Sequence, residues 1–195
     1  MSGNPETPGP PDPGPRFSIS PQERDALRVL ARLAIANRLF PEQAVPLPGP
    51  PQGLLARPCG AFVTLKAGGH LRGCIGNVVG DGPLWDTVAA MAQAAAFQDP
   101  RFPPVASGEF ETLDLEISVL SPLLPCPDPA LVEVGRHGLL IRHAGRSGLL
   151  LPQVPVEWGW DRETFLAQTC RKAGLPADAW REPGAALFWF EAEVF

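Results

Sequence analysis

The sharpest hydrophobic pattern in the chain lies at TLDLEISVL, where Leu113, Leu115, Ile117 and Val119 alternate with Asp114, Glu116 and Ser118. A period of two sends successive side chains to opposite faces of an extended strand, so one face is core and the other polar. At SPQERDALRVLARLAIANRLF the period lengthens, and Leu27, Leu30, Leu33 and Ala34 form a helical stripe. Ser20, Pro21 and Glu23 supply a cap, a first-turn proline and a capping box. A second helix is expected in the alanine-rich PLWDTVAAMAQAAAF, stopping at the loop QDPRFPPV. A third starts at Asp161 as cap and closes at Gly174, with Pro176 preventing continuation.

The remaining β-prone runs come in pairs. GAFVTLKAGGHLRGCIGNV reads as a hairpin turning at Gly68-Gly69, and GLLIRHAGRSGLLLPQV as a second hairpin turning through residues 144–148. A last strand, ALFWFEAEVF, is expected to dock the C-terminus into the sheet, and the proline-rich PEQAVPLPGPPQGLLARP to cross the surface irregularly. Hairpins and helices without repeated βαβ units indicate an α+β domain.

Composition narrows the function classes. The chain has 195 residues, 45% apolar, with a net charge of −5. This excludes a wholly disordered chain and argues against a nucleic-acid binder, which needs a basic surface or run. No apolar run approaches the roughly 18 residues that span a bilayer, and the first residues lack the order of a secretory signal. The protein is therefore read as cytoplasmic, with no membrane partner. Residues 1–16, MSGNPETPGPPDPGPR, are too poor in large apolar side chains to offset their ordering entropy and are expected to form a disordered tail before a domain at 17–195.

Four scattered cysteines, Cys59, Cys74, Cys126 and Cys170, show no CxxC and no zinc spacing. Cys59, Cys126 and Cys170 read as packing thiols. Cys74 differs, because HLRGCIG sets it between Gly73 and Gly76 with Arg72 two residues upstream. In a regular strand, Arg72 and Cys74 share a face about 6.7 Å apart, near enough for the guanidinium to favour a thiolate or hold an anion beside it. A free thiol is only about 3% ionised at neutral pH, so chemistry here needs local positive charge. The plainer alternative is a small buried cysteine beside glycines that mark a bend or bulge. His70 with Cys74 offers too few ligands for a metal.

Taken in order, GAFVTLKAGGHLRGCIG, AAAFQDPRFPPV, LDLEISVLSP, VGRHGLLI, LLLPQV and CRKAGL resemble the AMMECR domain family, named for the Alport syndrome, intellectual disability, midface hypoplasia and elliptocytosis critical region. Its bacterial and archaeal members are also called AmmeMemoRadiSam system protein A. The resemblance runs from about residue 17 to the C-terminus. It implies an α+β fold with a mixed, largely antiparallel sheet, flanking helices, a larger and a smaller lobe, and a cleft near LRGCIG. It also implies association with Memo-like and radical S-adenosylmethionine proteins in a modification pathway. The chain has neither the three-cysteine motif of a radical enzyme nor a two-histidine site of the Memo type, so neither chemistry is assigned to it, and no cofactor is identified.

The family motifs point to Cys74 and His137 as catalytic, and to Arg72, Gly73, Gly76, Asp99, Arg101, Phe102, Glu116, Ser118 and Gln153 as ligand-binding. In that arrangement Cys74 is the nucleophile, Arg72 or Arg101 binds an anionic group, and His137 moves a proton if the fold brings it within reach. Each residue also has a plainer reading. Asp99-Pro100-Arg101 forms a self-satisfying turn, His137 is structural, Glu116 and Ser118 line a solvated face, and Gln153 ties down a loop. Two functions fit: a cysteine-centred enzyme, or a non-catalytic binding or adaptor protein presenting the cleft.

Overall fold

The structure, a computed structural model, describes residues 16–195, so all of the expected tail except Arg16 lies outside the described residues. Helix α1 (Pro21–Leu39) begins at the capping box: the Ser20 hydroxyl accepts the Glu23 N–H, and the Glu23 carboxylate accepts the Ser20 N–H. Strands β1 (Gly60–Ala67) and β2 (His70–Asn77) are joined by Gly68 and Gly69 at φ +55° and +79°, the left-handed pair that a tight hairpin requires. Helix α2 (Leu84–Phe97) and strand β3 (Leu113–Leu120) follow, then the two-residue β4 (Leu124–Pro125), β5 (His137–His143) and β6 (Arg146–Leu150). The chain ends through α3 (Gln153–Glu157), α4 (Arg162–Lys172) and β7 (Ala186–Val194).

These strands form one curled antiparallel sheet in the order β2-β1-β3-β7-β5-β6, with β4 also on β7. The last strand thus sits centrally and joins two units. In the larger, α1 and α2 cover Val63, Leu65, Ile117 and Val119 with Leu27, Leu30, Val88 and Ala92. In the smaller, α4 packs Phe165, Leu166 and Cys170 against Leu139 and Ile141 of β5. The α+β architecture is as expected.

Two local differences matter for the site. The second hairpin turns on two residues only, Ala144 and Gly145, both at positive φ, and its second strand stops at Leu150. Pro152 and Pro155 cannot donate to a ladder, and Gln153 opens the short α3 instead of extending the strand. The second difference lies in β2. Counting back from the glycine turn pairs Ala67 with His70 and Lys66 with Leu71, but Leu65 then pairs with Gly73 and Thr64 with Cys74. Arg72 is an extra, unmatched residue, a β-bulge. An unbroken ladder would set Cys74 opposite Val63, on the helix-covered face. The bulge exchanges the faces: Gly73 meets α2, Ile75 joins the core, and Cys74 stands beside Thr64 on the far side. The expected shared face for Arg72 and Cys74 is corrected accordingly, because the alternation is interrupted at Arg72 itself.

Candidate functional site

The site is built around one peptide unit of an edge strand. The Cys74 N–H donates to Asp99 Oδ2 at 2.8 Å, and the Cys74 carbonyl accepts from Arg101 Nη2 at 3.2 Å. Arg101 also donates from Nε to Asp99 Oδ1 at 2.9 Å and from Nη2 to Oδ2 at 2.7 Å. The turn after α2 therefore stands where a further strand would pair, satisfying groups that an open edge leaves bare. Asp99 is buried, and the Arg101 guanidinium, followed by the Cys74 N–H, holds its carboxyl far below the usual carboxylate range. With its backbone groups turned outward, Cys74 forms a non-hydrogen-bonded pair with Thr64, the closer of the two antiparallel arrangements. The Thr64 hydroxyl accordingly donates to Cys74 Sγ at 3.2 Å.

Arg72 is committed elsewhere. Its Nε and Nη2 donate to the Glu109 carboxylate at 2.8 and 3.0 Å, and its Nη1 to the Pro103 carbonyl at 2.9 Å. Arg72, then the Ala106 N–H, lowers the Glu109 carboxyl to about 2. This fork fastens residues 103–109 to β2 and occupies the guanidinium that the sequence offers for an anion. Gly73 and Gly76 lie at close approaches. A Cβ on Gly73 would stand 2.1 Å from the Ala95 carbonyl oxygen, and one on Gly76 would stand 2.2 Å from the Phe62 ring. The first glycine seats a helix and the second makes room for a ring. Phe102 lies beneath the Arg101 guanidinium, 5.5 Å from it.

On the far face of the sheet a cleft of about 190 Å³ brings together four of the expected residues: Cys74, Glu116, Ser118 and Gln153. The register explains the first three, since Thr64 pairs with both Cys74 and Glu116, and Phe62 with Ser118. Cross-strand partners share a face. Glu116 accepts from Lys66 Nζ at 2.8 Å, and Ser118 is buried. The opposite wall comes from the segment after β6, through Leu151, Gln153, Val154 and Glu157. Gln153 Oε1 is buried and has no hydrogen-bond partner, the one such side-chain atom among the described residues. Sequence reasoning missed Phe62, Thr64 and Glu157. The alternation in β1 exposes Phe62 and Thr64 as a pair opposite Val63 and Leu65, but only the bulge places Cys74 beside them.

His137 is not in this cleft. Val119 faces the helices and pairs with Glu193; Glu191, two residues earlier, takes the same face, and His137 is opposite Glu191. His137 lines a separate cleft of about 330 Å³ with Phe17 and Trp189, its ring 4.4 Å from that of Trp189. Its Nδ1 accepts the Glu133 N–H at 3.0 Å, which leaves the neutral ring's proton on Nε2. Burial, then Arg136, pushes its pKa down. The condition for a proton role, that the fold bring His137 within reach of Cys74, is not met: the two line separate clefts, with β7 between β3 and β5. Cys59 and Cys170 are buried and Cys126 is half-buried, and burial pushes all three thiols up. Among the described residues no group of three His, Cys, Asp or Glu stands ready for a metal ion.

Comparison with known proteins agrees with this architecture. The family model AMMECR1 matches residues 28–195. A protein of Methanothermobacter thermautotrophicus is 42% identical over 188 residues, covering 92% of this chain and 98% of the relative. One of Thermococcus kodakarensis is 46% identical over 189 residues, covering 92% of each. The crystal structure of the uncharacterized protein PH0010 from Pyrococcus horikoshii is similar at a TM-score of 0.72 and 42% identity, covering 86% of this chain and 88% of that one.

Proposed function

The chain belongs to the AMMECR1 family, and from that premise we propose that it is a cytoplasmic protein that binds a small ligand in the Cys74 cleft, with the thiol as a contact the ligand reaches. The observation that carries this reading is the Gln153 Oε1 atom, buried in a cleft wall without a donor. A buried acceptor left unmet costs about 1–3 kcal/mol, and native proteins keep few of them. A ligand that supplies the donor recovers that energy. Binding without catalysis is favoured over a cysteine-centred enzyme because both arginines near Cys74 already hold carboxylates and His137 faces the other way.

A cysteine-centred reaction is the second reading. It is supported by Cys74 lining the cleft and by the Arg101 guanidinium at its carbonyl. The resemblance to a family associated with Memo-like and radical S-adenosylmethionine proteins supports a ligand shared with a modifying enzyme. No helix among the described residues is long and apolar enough to cross a membrane.

The test is a fluorine-NMR fragment screen on the Cys126→Ser protein, before and after Cys74 is capped with methyl methanethiosulfonate. Fragments displaced by the cap support binding at this cleft. A screen with no binders, or binders indifferent to the cap, overturns the proposal. Repeating the screen on Cys74→Ser separates the readings: fragments retained favour the binding role, and fragments lost favour a thiol that itself engages the ligand.

A further inference from the structure

We infer that this cleft selects ligands carrying an N–H donor, an amide being the simplest, and discriminates against carboxylates and other anions. The inference rests on the ligand-binding reading above and names the ligand class. The sequence favours the opposite, an anion held by arginine beside a thiol. The structure removes each cation from that task. Arg72 forks onto Glu109, Arg101 onto Asp99, and Lys66 contacts Glu116 at 2.8 Å.

What the walls present instead is acceptors. Gln153 Oε1 is buried and unmet, and the carboxylates of Glu116 and Glu157 border the same space. An entering carboxylate would set its own lone pairs against these oxygens, whereas an N–H satisfies the most deeply buried of them. Ser118 supplies a hydroxyl that can donate to a ligand carbonyl, and Phe62, Leu151 and Val154 give the short apolar frame of a small pocket. A carboxamide matches this set with its N–H toward Gln153 and its carbonyl toward Ser118. At about 190 Å³ the cleft admits a group of this size beside the thiol.

Two alkylating reagents of one shape put this to the test. Iodoacetamide and iodoacetate differ only in amide against carboxylate; each forms a carbon–sulfur bond as iodide leaves and the thiol proton passes to solvent. Rates at Cys74 are read by peptide mass spectrometry on the folded full chain in 0.5 M salt, which screens the net negative charge. Mercaptoethanol in the same buffer gives the reference ratio. The amide-to-carboxylate ratio at Cys74 is expected to exceed the reference by about tenfold, the worth of one recovered hydrogen bond to a buried group. Gln153→Leu and, independently, Gln153→Met are expected to bring the ratio back toward the reference while circular dichroism stays native. A wild-type ratio at or below the reference overturns the amide preference and leaves the binding reading standing. Failure of both reagents to reach Cys74 in the folded protein overturns the binding reading itself.

Discussion

Gly73→Ala is the most direct perturbation of the contact that seats α2 on β2. An ideal Cβ at this position lies 2.1 Å from the Ala95 carbonyl oxygen and 3.1 Å from its carbon. Ordinary carbon–oxygen contacts sit near 3.3 Å or beyond, so strand and helix must part by about 1 Å. The obstructing atom is helix backbone, not the end of a flexible side chain, and Ala92, Ala95 and Ala96 of that helix are all buried. Overpacking of this kind costs about 1–3 kcal/mol. Against it, alanine stiffens the unfolded chain and returns about 0.4–1 kcal/mol, so the net expectation is a loss of about 1–2 kcal/mol. The assay is urea unfolding followed by circular dichroism. With a slope of about 2 kcal/mol/M, the midpoint is expected to fall by about 0.5–1 M. Gly108→Ala, where nothing lies within 4 Å of the added methyl, is the control and should leave the midpoint level or raise it. A Gly73→Ala midpoint equal to wild type, at unchanged slope, would refute the packing argument.

Two further outcomes follow from ionisable groups. His137 is held neutral in the fold, chiefly by burial, so its folded pKa lies below the unfolded value near 6.5. Its contribution is full above that value and is lost as pH falls through the folded one. The thermal midpoint should drop between pH 7 and 5, and His137→Asn should flatten that drop; an unchanged slope counts against the assignment. For Glu109, whose carboxyl is lowered to about 2, the stabilisation is present above the ordinary carboxylate range and disappears as pH falls through about 2. Glu109→Gln should cost on the order of 1 kcal/mol at neutral pH, discounted because the carboxylate is 37% exposed, and should converge with wild type in acid unfolding curves.

What the sequence makes legible here is what is local. The capping box at Ser20, the Gly68-Gly69 turn and the alternation in β3 each involve neighbours a few residues apart, and each appears in the structure as read. The β2 bulge is different in kind. Whether Arg72 is an extra residue depends on the Ala95 carbonyl meeting Gly73 and on Asp99 reaching Cys74 across 25 positions. No period in the strand itself carries that information. Arg72 finds Glu109 across 37 positions, which no local spacing discloses, whereas the Asp99–Arg101 pair is local and reads from the sequence as the self-satisfying turn. Sequence order does not disclose that β7 enters between β3 and β5, and so leaves open whether His137 comes within reach of Cys74. Family resemblance supplied Glu116, Ser118 and Gln153, but not the acceptor-rich character of the wall they form.

The unmatched Arg72 gives the protein's thiol a dependence on counting. Residue number between turn and cysteine acts as a parity bit: removing the one extra residue closes the ladder with the sulfur still opposite Thr64, while removing two would rotate it beneath the helices. Substitution can reshape the pocket around Cys74, but insertion or deletion decides whether the pocket contains a thiol at all.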